Sequence, residues 1–383
     1  MVKEKIEPSL CKTVSSKSIA VNLIFIKASF LKIVKNLQNQ LKCNQKIWYN
    51  VKEHPPLKEI NRFLCNDNNK EAAIMQSISL TDIQTALRKH PQDYITKIEQ
   101  NHWQQLMKIV TSMKEHRNTC PILLLSGPSG SGKTITAMMI ESVLDCMGLE
   151  THTLSMDNYF KSMTAEEKQL AEIGKFDLES PERVDIPFLN AQLKDIRDGK
   201  PVTLPKYDFR IAKRVSSEQI LQRKPQELVI LEGIHALNPS VITLSDKEAA
   251  RCYINVQTAL RTDSDMLISP SYIRLMRRMI RDLKYRKRSL ADTIRMHHSV
   301  QVGEDTFITP YQQLANYTVN TFLPYETFAY GTIFQQMPEA MKIAQQIPEL
   351  AAMLQVTIPF SLDWIPETAL IREFIGGSVY YNK

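Results

Sequence analysis

Residues 127–134 read GPSGSGKT, a run of small residues that ends in a lysine and a threonine. This is the GxxxxGKT spacing of a Walker A loop, whose glycines allow backbone N–H groups to wrap closely around a phosphate chain. Lys133 would place positive charge on the β- and γ-phosphates of ATP, and Thr134 would offer its hydroxyl to Mg²⁺. We therefore expect the nucleotide to be bound by Gly127, Pro128, Ser129, Gly130, Ser131, Gly132, Lys133 and Thr134.

The residues on either side of this loop predict the strand and the helix that must position it. Residues 122–125 are branched and apolar, which is typical of a buried parallel strand. Residues 135–147 are apolar at helical spacing and are followed by Gly148, a residue type that often ends a helix. A plain glycine- and serine-rich turn is the alternative, but the order of strand, loop and helix is the one that a phosphate-binding loop requires.

Two acidic residues follow apolar runs that predict further strands. Asp157, in HTLSMDNYF, would bind Mg²⁺, accept a proton from a hydroxyl group, or simply begin a turn before Asn158. Glu232, in LVILEG, has the position of a Walker B acid that binds a metal ion or water. Because parallel strands present their carboxyl ends at one edge of a sheet, we expect both acids to lie near the loop.

A basic run occupies residues 274–288. Its arginines at positions 274, 277, 278 and 281 follow the spacing i, i+3, i+4, i+7 and therefore share one helical face. Such a face is usually solvated or binds nucleic acid. Beside a phosphate-binding loop, the same run also fits a lid whose guanidinium groups close over a transferring phosphoryl group. The residues alone leave both interpretations open.

The net charge of +7 on this 383-residue chain is concentrated near its start. Residues 1–46 contain nine lysines and two glutamates, so the remainder of the chain is neutral in sum. A nucleic-acid partner is therefore not expected for the main part of the chain. The lysine-bearing amphipathic stretch of this basic arm fits either an anionic surface or a helix that packs on the protein and solvates its lysines.

Cysteine spacing and hydropathy limit the classes of protein to which this chain could belong. The six cysteines form no CxxC or Cys/His metal-binding pattern, and no apolar run is long enough to span a membrane. We expect a reduced, cytoplasmic protein with three regions. These are an N-terminal extension at 1–85, made of the basic arm and a loop-rich join, a P-loop domain at 86–330, and a C-terminal helical extension at 331–383.

Several motifs occur in a recognisable order, namely GPSGSGKT, LSMDNYF, KFDLESPERVD, LPKYDF, LVILEGIHALNP and RLMRRMIRDLKYRKR. Over residues 106–324 they resemble the uridine kinase and phosphoribulokinase group of P-loop kinases. The segments SVQVGEDTFITPYQQLANYTVN and IPETALIREFIGGS are more similar to longer bacterial uridine-kinase-like proteins with a threonyl-tRNA-synthetase-like N-terminal region. The N-terminal part of this chain is shorter and has no HxxxH pair, so that region is expected to be reduced or absent.

The resemblance implies a role for each matching position. It implies Asp157 as the catalytic base, with Lys133 and Arg278 acting on the transferring phosphoryl group. The other implied roles are Thr134, Glu232 and Asp157 for Mg²⁺, Arg281 and Arg286 for the nucleotide, and Asp177, Tyr207, Arg278 and Arg288 for the acceptor.

Two positions depart from the uridine kinase pattern. The family places a histidine that reads the uracil edge shortly after the YDF arm, where this chain has Ala212. It also ends the lid helix with a glutamine, where this chain has Met296. The phosphoryl-transfer residues are therefore retained, whereas the base-reading residues are not.

The expected fold is an α/β P-loop kinase fold with a five-stranded, mainly parallel sheet, helices on both faces, an arginine-rich lid, and N- and C-terminal extensions. The expected activity is ATP- and Mg²⁺-dependent phosphorylation of a hydroxyl on a small nucleoside or sugar-like acceptor. Two other classes stay open: a nucleotide-binding regulator that has lost turnover and holds a partner, and a nucleic-acid-binding protein. A homo-oligomer also stays open.

Overall fold

The computed structural model describes residues 76–172, 176–286, 288–355 and 358–381, so the predicted basic arm lies outside the described residues. The strands are β1 (Ser77–Ser79), β2 (Ile122–Ser126), β3 (Thr151–Ser155), β4 (Val202–Thr203), β5 (Lys206–Asp208), β6 (Lys213–Val215), β7 (Ile220–Leu221), β8 (Leu228–Glu232), β9 (Ala249–Asn255), β10 (Ala259–Arg261), β11 (Leu267–Ile268) and β12 (Tyr317–Asn320). The α-helices are α1 (Leu80–Lys89), α2 (Pro91–His116), α3 (Lys133–Cys146), α4 (Ala165–Glu172), α5 (Ile186–Arg197), α6 (Pro270–Arg281), α7 (Leu290–Arg295), α8 (His297–Phe307), α9 (Glu326–Gln335), α10 (Pro338–Ala344), α11 (Pro348–Gln355) and α12 (Arg372–Ile375).

Five strands form one sheet in the order β12, β9, β2, β8, β3, and every neighbouring pair is parallel. The predicted five-stranded sheet is confirmed. All residues of β2 and β8 are buried, as expected for central strands covered on both faces. The register sets Glu232 opposite both Leu125 and Ser155. The carboxyl ends of β2, β8 and β3 therefore lie side by side at one edge of the sheet.

Helices cover both faces of this sheet, as predicted. Successive side chains of a strand point to opposite faces. On one face, Ile122 and Leu124 belong to a hydrophobic cluster that includes Leu189 and Leu193 of α5. On the other face, α3 packs against β2, β3 and β8. The helix that begins at the phosphate-binding loop is thus anchored to the same strands that carry the acidic residues.

Two helices precede the central strands of the sheet, and α1 and α2 meet at His90. Pro91 cannot continue a helix because it lacks a backbone N–H, but it fits the first turn of a new one, and it is the first residue of α2. Glu99 and His102 of α2 are buried. The Tyr325 hydroxyl donates a hydrogen bond to Oε1 of Glu99, whose Oε2 has no hydrogen-bond partner among the described residues.

The Glu99 carboxyl should make stability depend on pH. Burial raises its pKa to about 7 from 4.5, the Tyr325 hydrogen bond opposes this shift, and Glu326 adds to it. The folded state therefore holds a proton that the unfolded chain releases at lower pH. The resulting stabilisation, about 3 kcal/mol, is fully present below the unfolded-state pKa and is lost as pH rises through the folded-state pKa.

We therefore expect the free energy of unfolding to fall between about pH 4.5 and about pH 7 more steeply in the wild type than in Glu99→Gln. Urea unfolding at several pH values measures both profiles, and their difference isolates this carboxyl from the others. Parallel profiles would show that Glu99 is ionised in the folded protein at neutral pH.

The predicted region boundaries fall within regular structure. The boundary at 85/86 lies inside α1, and the boundary at 330/331 lies inside α9. The three-region division stays a prediction. Within the described ranges, the structure contains no helix with the length and apolar character needed to cross a bilayer.

Candidate active site

The predicted phosphate-binding loop joins the end of β2 to the first residue of α3. At Gly127, a Cβ atom would lie 2.0 Å from the carbonyl oxygen of Ile254, so a larger residue would clash with β9. Gly130 has a φ of +78°, a conformation that side chains rarely adopt. Lys133 reaches back across the loop, where its Nζ donates to the carbonyl oxygen of Pro128 at 3.1 Å. Loop and lysine together form a cradle suited to a phosphate chain.

The predicted metal-binding residues lie beside this loop. Glu232 is the last residue of β8, and the Thr134 hydroxyl donates to its Oε1 at 3.4 Å. Asp157 lies in a short 3-10 helix that directly follows β3. All three side chains line one cavity of about 660 Å³, together with Lys133. The structure thus brings these four residues together.

Burial dominates the electrostatics of these groups. It raises the pKa of Glu232 to about 7, with Asp157 adding to the shift and Lys133 opposing it. It also raises the pKa of Asp157, and Lys133 is the main opposing charge. Burial lowers the pKa of Lys133, against the attraction of Glu232 and Asp157. Because Mg²⁺ prefers carboxylate and hydroxyl oxygens, Thr134, Asp157 and Glu232 fit a Mg²⁺ site.

Four arginines of the basic run line the same cavity, namely Arg278, Arg281, Arg286 and Arg288. Asp282 is buried among them. Its Oδ1 lies 3.3 Å from Nε of Arg281 and 3.9 Å from Nε of Arg286, and its Oδ2 lies 3.9 Å from Nη1 of Arg288. This acid holds the arginine-rich segment together. Sequence reasoning missed it, because a single acid within a basic run carries no signal of which arginines it contacts.

Two other arginines of the run have a different role. Arg277 is fully buried, and its Nε and Nη2 donate to the Glu326 carboxylate at 2.7 and 2.9 Å. Its Nη1 donates to the carbonyl oxygen of Gly130 at 3.1 Å. Arg274 donates to both carboxylate oxygens of Glu304 at 2.6 and 2.8 Å. The solvated or nucleic-acid-binding interpretation of this helical face is therefore wrong for these two residues, which support the loop from within the protein.

The lining of the cavity also includes the two positions that depart from the uridine kinase pattern. Tyr207, in β5, is buried. The cavity is lined by Tyr207, Ala212 and Met296. Ala212 lies between β5 and β6 with a φ of +51°. Neither a methyl group nor a thioether donates a hydrogen bond. The side chains at these two positions therefore do not supply the donors that the family pattern provides there.

Asp177 does not line the cavity. Its side chain is exposed, and its Oδ1 accepts a hydrogen bond from the backbone N–H of Glu179 at 2.9 Å. The Glu179 side chain lines the cavity instead, and burial raises its pKa to about 7, with Glu304 adding to the shift. Sequence reasoning missed Glu179, although the same motif, KFDLESPERVD, contains it. The acceptor-binding role of Asp177 stays a prediction.

The sequence profile of the Phosphoribulokinase / Uridine kinase family matches residues 122–326, just over half of the chain. The chain belongs to this family. A "Uridine kinase" of Schizosaccharomyces pombe is 33% identical over 185 residues, which cover 48% of this chain and 37% of that protein. "Uridine-cytidine kinase-like 1" of Mus musculus is 31% identical over 196 residues, 51% of this chain and 32% of that protein.

A shorter relative in the family is covered more fully. A "Uridine kinase" of Lactobacillus johnsonii is 31% identical over 203 residues, 52% of this chain and 86% of that protein. The chain thus spans about a third of the length of the yeast and mouse proteins and most of the bacterial one. The family resemblance and the P-loop kinase fold predicted from the motifs are confirmed.

Proposed function

We propose that the protein is a kinase that transfers the γ-phosphoryl group of ATP, with Mg²⁺, to a hydroxyl of a small acceptor other than a pyrimidine nucleoside. One observation carries this proposal. A single cavity is lined by the loop lysine Lys133, the acids Asp157 and Glu232, and four of the six arginines of the basic run, in a chain of a kinase family.

Each group has a definite task in this reaction. The loop N–H groups and Lys133 hold the phosphate chain, while Thr134, Asp157 and Glu232 would hold Mg²⁺. When bound, Mg²⁺ supplies positive charge that neutralises and orients the phosphates. Asp157 accepts the proton of the attacking hydroxyl group. Its position directly after β3, in the same cavity as Lys133, supports this role because acceptor and phosphate must meet there.

The arginines stabilise the charge on the transferring group. Arg278 is buried, and burial lowers its pKa, with Arg281 adding to the shift. A guanidinium group with few water contacts interacts strongly with phosphate oxygens, because the surrounding dielectric is low. Arg281, Arg286 and Arg288 add positive charge to the same cavity.

The side chains that line the cavity favour, as acceptor, a polyhydroxy compound that carries negative charge. Ala212 and Met296 offer no donor for the polar edge of uracil. Tyr207 and Glu179 offer groups that suit hydroxyls, and Arg278 and Arg288 suit a carboxylate or phosphate on the acceptor. A sugar-like acid or sugar phosphate fits this set better than a nucleoside does.

A panel of acceptors tests the proposal, with formation of ADP and of phosphorylated product measured for each compound. We expect kcat/KM for uridine and cytidine to lie about 10²-fold below that of the best anionic polyhydroxy compound, because the uracil edge would be buried without partners. Lys133→Ala is the control for contaminating kinases, and it should lose turnover while remaining folded.

Two results would contradict the proposal in different ways. Efficient phosphorylation of uridine or cytidine would show that other groups read the base, and the acceptor class would be wrong. Binding of ATP without product from any acceptor would instead favour the nucleotide-binding regulator.

A further inference from the structure

The C-terminal segment, residues 358–381, lies outside the part of the chain that matches the family profile, yet it packs directly on the phosphate-binding loop. A Cβ atom on Gly132 would lie 3.1 Å from the Leu370 side chain, so Leu370 covers the loop. Phe374 is fully buried, with its ring centroid 5.3 Å from the Arg277 guanidinium. Nζ of Lys284 donates to the carbonyl oxygen of Ile375 at 2.8 Å. The segment is thus fastened to both the loop and the arginine-rich helix.

This packing places one acidic side chain of the segment in the active-site cavity. Glu373, in α12, lines the same cavity as Lys133, Asp157 and Glu232. Its Oε2 is inaccessible to solvent and has no hydrogen-bond partner among the described residues. A buried carboxylate oxygen without a partner is costly, so a ligand of the cavity is the natural source of one.

The charges around Glu373 indicate what kind of ligand this is. The carboxylates of Asp157, Glu179, Glu232 and Glu373 line this cavity together with the ammonium group of Lys133. Ionised carboxylates that share one cavity repel one another. An added anion would increase this repulsion, whereas a divalent cation would relieve it.

We infer that Glu373 is a further binding residue of the nucleotide site, whose carboxylate is an additional oxygen donor toward the divalent cation that accompanies ATP. The inference rests on the proposed function, since it assumes that the cavity binds a cation with the nucleotide. It extends the site beyond the segment that matches the family, because the C-terminal segment supplies one of its groups. It also gives a role to the IREFIGGS motif, which the proposed reaction otherwise leaves unused.

Binding of Mn²⁺, followed by electron paramagnetic resonance with a non-hydrolysable ATP analogue, tests this inference on the full chain. We expect Glu373→Gln to weaken Mn²⁺ binding by about 10- to 100-fold, the usual effect of removing a group that supports a metal site. Glu367→Gln is the matched control, because Glu367 lies on the same segment but is exposed, and it should bind Mn²⁺ as the wild type does. In EDTA, neither variant should bind the nucleotide more weakly than the wild type.

Three results would overturn the inference. Mn²⁺ affinity of Glu373→Gln within about twofold of the wild type would show that the carboxylate does not act on the cation, given the expected loss. Equal weakening of nucleotide binding with and without Mn²⁺ would show that Glu373 acts on Lys133 and not on the cation. A wild type that binds neither Mn²⁺ nor the nucleotide would refute the proposed function itself.

A second measurement uses the wild type alone and holds even if Glu373→Gln fails to fold. If Glu373 contacts the cation, hydrogen exchange in peptides spanning residues 372–381 should be slower with Mn²⁺ and the ATP analogue than with the analogue and EDTA. Equal exchange under the two conditions would overturn the inference.

Discussion

Asp157→Asn is expected to lower turnover by about 10²- to 10⁴-fold, because an amide cannot accept the proton of the attacking hydroxyl group. Loss of a charged metal contact would add to this effect. The amide keeps the size of the side chain, and among the described residues no hydrogen bond joins the Asp157 side chain to the loop, so the affinity for ATP should change little. Single-turnover kinetics with the best acceptor of the panel, together with nucleotide titration, separate the two quantities.

Asp195→Asn is the matched control for this experiment. Asp195 lies on α5 and pairs with Lys200 at 2.9 Å on the protein surface, so the same chemical change should leave turnover unaffected. A loss of less than about tenfold in Asp157→Asn would mean that this residue begins a turn and that another group is the base.

Arg277→Met should destabilise the protein by about 3 to 5 kcal/mol, because it leaves the Glu326 carboxylate buried without its counter-charge. Both groups are fully buried, and the guanidinium also donates to the carbonyl oxygens of Gly130 and Thr321 at 3.1 and 2.7 Å. We therefore expect weaker ATP binding as well, since the loop loses a donor that holds its backbone. Urea unfolding and nucleotide titration measure the two effects.

Arg261→Met is the control for the loss of an ion pair. Arg261 and Asp265 form an exposed pair at 3.0 Å, and such pairs contribute about 0 to 1 kcal/mol. Combining Arg277→Met with Glu326→Leu should recover part of the stability, because no unpaired carboxylate then stays buried. A loss in Arg277→Met no larger than that in Arg261→Met would refute the buried ion pair.

The strands could be predicted because their signal is local. The predicted strand at 122–125 corresponds to Ile122–Ser126. It is a short apolar run, and its composition alone indicates burial. Its end shifted by one residue, because hydrogen bonding to neighbouring strands decides where pairing stops. The break between α1 and α2 has a local signal too, because Pro91 fits only the first turn of a helix.

The roles of the individual arginines in the basic run could not be predicted from the sequence. Helical spacing placed Arg274, Arg277 and Arg278 on one face, but it could not separate loop support from contact with a ligand. Their acidic partners decide this, and the partners are far away in the chain. Glu304 follows Arg274 by 30 residues, and Glu326 follows Arg277 by 49. Long-range packing alone brings such pairs together.

The sequence by itself determined the phosphate-binding loop, the α/β fold with its parallel sheet, and the placement of Asp157 and Glu232 at the ends of strands, because spacing along one strand, loop or helix encodes each of these. Only the tertiary structure decided which acids share the cavity. It placed Glu179 there rather than Asp177, and it added Glu373 from a segment that follows the family match. The physical reason is that the residues lining a cavity come from segments that are distant in the chain. How such segments pack against each other produces no periodic pattern in the sequence.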